Sequence, residues 1–514
     1  VVKVVVQNSK FKIQNPLQWL LVVGVAAAVG LLPASMVVAG VIGLIIAVLI
    51  LRRPVWGAYA LVLSVPVQKA VSIPGDVTVT QILFVLVLGV WWAWMSLRDD
   101  KRLHLTPIAV GMLFFLVGTL PSLWTTGSMS ESLAEISRWL VTILAYVIMV
   151  NSVQTRREMS VLVAVMLIAG LLEALLGLIQ AYSATGPASF IVKDLLTRAY
   201  GTIGAPNSFA GYLNMSVPLA MSLALYHAGK WFSERKALPV LERPEHVTLR
   251  RLRVPMLMAL VALVLFWAVI TTLSRGAWIG LAAGVVVMVL ALGKRAKAAI
   301  ATLAVAMLAL VGLASVGALP SAVGERFDLL TSQLSVFDPR GLVPTPDNYA
   351  VIERMVHWQV AGNMYLSSPW TGVGVGNFNV RFNEFGIQGW PYSRGHAHNY
   401  YLNTLAETGV IGLAFYMAML TVALVVGFRA VRRVQARGDT YGEAVVIGAL
   451  GILVTFMVHN FFENLHALNM GIHWGAALAL FTLVDRRWTT DDGRRTTDDL
   501  NAKTQRLQRT QRYL

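Results

Sequence analysis

The chain contains no cysteine, which excludes disulfides, thiolate metal sites and cysteine nucleophiles together. Charge is also scarce. Only 13% of the 514 residues are charged, against 56% hydrophobic, whereas a soluble domain carries about 25% charged residues. The mean hydropathy of +0.65 agrees. Apolar runs of membrane-spanning length recur along the sequence. The expected fold class is therefore all-α: a polytopic transmembrane helical protein of about 12–14 spans.

The apolar segments fall near 17–32, 33–51, 54–68, 80–97, 106–124, 138–150, 159–181, 207–227, 254–273, 277–292, 298–319, 400–428, 441–460 and 467–484. The net charge of +16 does not imply nucleic acid as a partner, because its distribution is that of a topology signal. Of the 42 Lys and Arg, 32 fall in alternate connections and 10 in the others. The positive-inside rule then puts both termini in the cytoplasm, with anionic membrane lipids as the partner of the basic side. The expected location is the cytoplasmic (inner) membrane of a bacterium, crossed many times.

Five regions follow: N-terminal spans over 1–194, spans carrying two arginine motifs over 195–319, an external loop over 320–399, three spans over 400–484, and a polar tail over 485–514. The tail cannot bury a core and is expected to be disordered. Within the external loop, residues 349–366 are amphipathic and read as a helix on the membrane surface. The Gly372-Val-Gly-Val-Gly-Asn-Phe378 run follows no predicted strand, so it reads as tight backbone packing rather than a nucleotide fingerprint.

The candidate chemistry gathers on the external side. His396-Ala-His398-Asn399 sits where the long loop enters a span, and an imidazole there can take a proton near neutral pH. Arg198-Ala-Tyr-Gly-Thr-Ile-Gly-Ala-Pro-Asn207 leads into another span. Thr271-Thr-Leu-Ser-Arg275-Gly-Ala-Trp is a short turn that holds Arg275 near membrane depth, where an ionisable group is a functional candidate by default. Arginine suits phosphate oxygens, and histidine suits removal of a hydroxyl proton. Together they fit displacement of a lipid-phosphate leaving group by an alcohol. Carboxylate pairs are missing from this side: Asp-Asp occurs at 99–100, 491–492 and 498–499, all on the basic side. No metal site and no cofactor are expected, since the sequence gives His396 and His398 no evident third ligand nearby. Weaker candidates are Arg354 with His357 on the loop helix, expected to face water, Glu407, expected to pair with another helix, and His459, Asn460 and Glu463 beside the last external turn.

These motifs, in this order and on one side, resemble the O-antigen ligase and polymerase superfamily over roughly residues 195–465. The resemblance implies a membrane glycosyltransferase. Its donor would be a glycan on undecaprenyl diphosphate, and its acceptor a glycan or lipid hydroxyl on the outer face. It implies His398 as the base and Arg198 and Arg275 as diphosphate contacts, with His396, Asn399, Asn207, Arg354 and Glu463 in support. A repeat-unit polymerase is the alternative within the family. A non-catalytic polysaccharide or lipid transporter is the alternative outside it, but no internal repeat supports that reading.

Overall fold

The computed structural model describes residues 34–68, 77–97, 102–183, 185–192, 196–237, 245–293, 337–345, 348–387, 389–390 and 392–486. The expected spans at 17–32 and 298–319 and the tail beyond Arg486 lie outside the described residues. The helices are α1 (Ala34–Arg52), α2 (Val55–Ser64), α3 (Val79–Leu97), α4 (Pro107–Thr119), α5 (Met129–Ser152), α6 (Arg156–Tyr182), α7 (Pro206–Leu213), α8 (Val217–Ala237), α9 (Glu245–Thr271), α10 (Arg275–Ala291), α11 (Tyr349–Ser367), α12 (Tyr400–Arg437), α13 (Thr440–His459) and α14 (Gly471–Asp485). Among the described residues, strand is confined to a two-residue antiparallel pair, β1 (Ile191–Val192) with β2 (Leu196–Thr197). The protein is a polytopic all-α membrane protein, with eight described stretches long and apolar enough to cross a membrane.

Local sequence sets the helix ends. Pro107 opens α4 behind Thr106, whose side chain accepts from the Ala109 N–H. Thr155 and Glu158 form a reciprocal capping box at the start of α6, satisfying two backbone donors that the helix leaves free. Gly438, at φ +67, ends α12, and Asp439 caps α13 one residue later. The bundle is apolar inside and outside, as a bilayer requires: Trp474, Tyr146 and Phe481 are buried, while Val85, Leu263 and Leu290 are more than half exposed.

Two spans differ from their expected form. The segment expected at 207–227 is two helices, α7 and α8, separated at 214–216. The span expected at 138–150 begins at Met129. Its polar first turns hold the loop that precedes α12: Ser132 Oγ donates to the Val375 carbonyl at 2.7 Å. Ser128 N–H donates to Asn377 Oδ1 at 2.7 Å.

The Gly-rich run and the start of α12 fold as one unit. Gly409 breaks α12 with φ +65, ψ −167. The backbone groups freed by the break are taken up by the loop. Val373 and Gly374 N–H donate to the Ala406 and Glu407 carbonyls at 3.0 Å each, and Val410 N–H donates to Pro369 O at 2.9 Å. A Cβ on Gly372 would meet the Glu407 carbonyl carbon at 2.3 Å, and one on Gly409 would meet that of Trp370 at 2.3 Å. Both also have positive φ, so this approach requires glycine on each side. The expected partner of Glu407, another helix, is the short one over Phe378–Arg381, together with the Gly-rich loop before it. The Glu407 carboxylate accepts the Gly376 and Phe378 N–H groups at 2.9 Å each, because the loop backbone turned into the protein needs an acceptor.

Helix α11 spans Tyr349–Ser367, as its pattern predicts, but does not simply rest on a surface. Ile352, Val356, Val360 and Met364 form a second apolar cluster with Phe378, Phe382, Ala397 and Ala406.

Candidate active site

The Arg198 motif is fixed from below by α6. Glu173 accepts the Thr202 N–H at 3.0 Å and its hydroxyl at 2.8 Å, and Gln180 accepts the Gly201 N–H at 2.7 Å. Gly201 lies at φ +55, with Phe209 against the position a Cβ would occupy. The same motif docks on the Arg275 turn. Ala199 N–H donates to Thr271 O at 3.1 Å, and Arg198 Nε donates to Thr272 O at 2.9 Å. Two motifs about 75 residues apart in sequence thus become one wall.

That wall lines a small cavity of about 70 Å³, shared by Arg198, Asn207, Ser274, Arg275, Arg354 and Phe462. A cavity needs about 10–15 Å³ to hold one water, so this one admits a few such occupants, and an attached lipid or glycan must extend beyond it. Helix α10 begins at this cavity, so its electropositive end faces the same space as the guanidinium groups.

A hydrogen-bonded chain leads from the cavity to the histidines. Arg198 Nη2 donates to Asn207 Oδ1, and Asn207 Nδ2 donates to Glu463 Oε2, each at 2.9 Å. Glu463 Oε1 stands 3.2 Å from His396 Nε2 and 3.7 Å from His398 Nδ1. His396 Nδ1 accepts the His398 backbone N–H at 3.0 Å. That bond puts the imidazole proton on Nε2, directed at Glu463. Burial pushes the His396 pKa down to about 4 against the opposing pull of Glu463, so the ring is neutral at pH 7. Burial alone would raise the Glu463 pKa, but His398, His396 and the Asn464 N–H outweigh it and hold the carboxyl below the usual range. It is therefore ionised.

His398 itself is held at φ +51, a left-handed backbone that few non-glycine residues adopt. Asn399 follows as the cap of α12, accepting the Tyr401 and Leu402 N–H groups. Among the described residues, neither buried ring nitrogen of His398 has a partner within hydrogen-bond distance, Nδ1 facing Glu463 Oε1 at 3.7 Å. A buried polar group in that state needs an explanation, and a substrate hydroxyl is one.

The expectation that Arg354 and His357 face water is corrected. Arg354 lines the cavity, and His357 is fully buried. His357 Nδ1–H meets Glu353 O at 2.7 Å, its Nε2 accepts the Arg394 N–H at 3.1 Å, and its ring centre lies 5.4 Å from that of His398. Both turn inward because α11 packs on the loop that carries His398. Of the residues in and beside the turn between α13 and α14, Glu463 joins the site. Asn460 instead accepts the Tyr400 N–H through its carbonyl at 2.8 Å, and His459 packs against Gly280.

Residues 259–417 match the family model described as O-antigen ligase. This stretch includes Arg275, Arg354, the Gly-rich run and His398, so the resemblance carried by those motifs is borne out. No curated protein matches the chain. The O-antigen ligase match and the membrane helices together support a ligase- or polymerase-like role in membrane glycan processing. Arg198, Asn207 and Glu463 lie outside the matched stretch, and the fold brings them to it.

One expectation about metals is revised. A third ligand type does lie beside the two histidines, because Glu463 joins His396 and His398 with candidate ligand atoms within 4.8 Å of one another. The sequence names Glu463 as a candidate but not as a ligand beside the histidines, because it lies 65 positions beyond His398. These three are the residues that could hold a divalent ion. The tautomer of His396 opposes that use: Nδ1 is occupied as an acceptor, so Nε2 carries a proton where a ligand needs a lone pair.

Proposed function

We propose that the protein is an integral membrane glycosyltransferase of the O-antigen ligase kind, moving a glycan from undecaprenyl diphosphate to an acceptor hydroxyl on the outer face of the cytoplasmic membrane. The observation that carries this reading is the placement of His398, whose ring stands beside Glu463, the carboxylate that links it to an arginine-lined cavity. Arg198 and Arg275 hold the diphosphate. The acceptor oxygen bonds to the anomeric carbon as its proton passes to a ring nitrogen of His398. The bond from that carbon to the phosphate oxygen breaks, and its electron pair leaves with undecaprenyl diphosphate, whose added negative charge the guanidinium groups offset. A single displacement inverts the anomeric centre, and no carboxylate is assigned here as a nucleophile for a second one.

The test is glycan transfer in vitro by purified wild type and His398→Ala, with donor binding measured separately and a chelator arm in parallel. Loss of a positioned general base slows transfer by about 10²–10⁴-fold, and donor binding is expected to persist. Wild-type turnover in His398→Ala refutes the assignment. Loss of activity with chelator, restored by a divalent ion, would instead make His396, His398 and Glu463 metal ligands.

A further inference from the structure

We infer that Tyr349 and Trp390, continued by Glu353 and Arg394, form an acceptor subsite that grips a sugar ring set back from the one attacked. The inference rests on the transferase reading, with His398 as the base.

Helix α11 carries Tyr349, Glu353 and His357 at intervals of four, which puts them along one stripe of its surface. The loop before α12 meets that stripe with Trp390 and Arg394, four apart as well. The Trp390 ring centre lies 5.6 Å from that of Tyr349, with the planes tilted by 40°. Arg394 Nε donates to Glu353 Oε1 at 2.8 Å, and the Arg394 N–H donates to His357 Nε2 at 3.1 Å. The stripe ends at the base, since the His357 ring centre is 5.4 Å from that of His398.

Exposure rises along the stripe. His357 is fully buried, whereas Tyr349 is 39% exposed and the Arg394 side chain 56%. Trp390 is half-buried against the second apolar cluster, so its ring is held in place. Aromatic rings beside a carboxylate and a guanidinium suit a sugar. The flat rings cover its C–H face, Glu353 accepts from hydroxyls, and the five N–H donors of a guanidinium are more than Glu353 uses. A belt at the lipid headgroups needs aromatic rings, but neither the carboxylate nor a stripe that leads to the base.

The reaction assigns this stripe to the acceptor. Glu463 and Asn207 lead from His398 to the arginine cavity, where the donor's diphosphate belongs. A single displacement brings the acceptor oxygen in opposite the leaving phosphate, so the acceptor needs a separate approach, and the stripe supplies one. Tyr349 precedes His357 by eight residues, about 12 Å of helix, which is the length of a short oligosaccharide rather than of one ring. The aromatic pair therefore holds a unit behind the attacked sugar and reads the length of the acceptor.

The experiment measures steady-state transfer from undecaprenyl-diphosphate glycan by the full chain. Its acceptors are a glycolipid carrying one sugar, a glycolipid carrying a linear chain of three, and a serine peptide. Wild type is expected to favour the three-sugar acceptor at least about tenfold in kcat/KM. Trp390→Ala should raise the KM of that acceptor at least about tenfold, with its kcat, the donor KM and the one-sugar KM within about twofold. Trp390→Phe keeps a flat ring and should stay within about threefold of wild type. Trp390→Leu and Tyr349→Leu keep apolar bulk without a flat face and should resemble Trp390→Ala; Tyr349→Leu decides the matter if the Trp390 variants do not accumulate. Wild type without a preference for the longer acceptor overturns the inference. So does wild-type behaviour in both Leu variants, which would make the two rings packing alone. Equal losses with both glycolipids, together with a raised donor KM, also overturn it by making the pair a membrane anchor or a prop for the loop. Transfer to the peptide alone removes the sugar subsite and leaves the transferase reading standing. No transfer to any of the three, with donor bound, fails the transferase reading and the subsite with it.

Discussion

The two ends of the helix bundle use the same residue types in opposite ways. At one end Arg156 meets Asp439 at 2.5 Å, Arg437 meets Asp485 at 3.2 Å, and Arg433 also reaches Asp485. These arginines are 44–56% exposed, and their carboxylates stand at helix ends, where Asp439 also caps α13. At the other end Arg198, Arg275 and Arg354 converge on one cavity. Glu463 beside them is engaged by Asn207 and His396. Exposed pairs are screened by water and add little stability, whereas clustered cations near membrane depth are costly unless an anion is to be bound. The contrast shows that arginine content does not mark the working face; the geometry around each guanidinium does.

The largest expected effect comes from the frame that keeps the working end together. Gly372→Ala places a Cβ 2.3 Å from the Glu407 carbonyl carbon at a positive φ. Backbone strain and overpacking together should cost about 2–6 kcal/mol, read as a lowered melting temperature in detergent; an unshifted melt would contradict the described junction. Next is Arg275→Lys. It keeps the charge but loses the planar fork, so transfer should fall at least about tenfold at normal protein levels. Full activity would move Arg275 to the same class as the arginines of the opposite end. A smaller effect belongs to His396→Ala. It removes the acceptor for the His398 N–H but leaves the base, so kcat should fall by roughly tenfold, the effect of one buried hydrogen bond of about 1–1.5 kcal/mol. A loss as large as that of His398→Ala would assign the proton transfer to both rings. The smallest effect is expected from Arg156→Gln, whose exposed pair is worth about 0–1 kcal/mol; transfer should stay within about twofold of wild type.

The expected pH response sharpens the same contrast. The His396 and His357 pKa values are lowered to about 4 in the fold, below the ordinary histidine value of about 6.5. A histidine pKa lowered by burial means that protonating the ring destabilises the fold, so stability is highest where the ring is neutral. That contribution is full above about pH 6.5 and is lost as pH falls toward 4. A melting series from pH 7 to 4 should therefore show falling stability, and His357→Gln, which no longer titrates, should flatten part of the slope. A slope unchanged by that substitution would remove His357 as a source.

Much of the fold is legible because lipid imposes a simple rule on sequence. Runs such as Val79–Leu97 and Arg156–Tyr182 need only length and apolarity to be found. What hydropathy misses is polarity facing protein instead of water. Ser132 and Glu135 look like loop residues, yet both are buried in the first turns of α5. The break at Gly409 is equally hidden, because its partners lie in the Pro369–Gly374 stretch and helix propensity cannot see them. For the site, residue type and shared sidedness single out Arg198, Arg275 and His398. The roles of Glu463 and the inward turn of Arg354 depend on approaches between distant segments. The one local signal for Arg354 was its three-residue spacing from His357, which puts the two on one helix face without saying what that face meets.

The second apolar cluster has a consequence for how the working parts are mounted. Ile352 and Val356 flank Arg354, and Ala397 precedes His398; all three apolar residues belong to that cluster. The third arginine and the base therefore sit on a common chassis, packed apart from the main core. Arg198 and Arg275 belong to the other chassis, joined by Thr271 and Thr272. The spacing between Arg354 and His398 is thus set within one packed unit, while the gap to Arg198 and Arg275 is set where two units meet, bridged by Asn207 and Glu463.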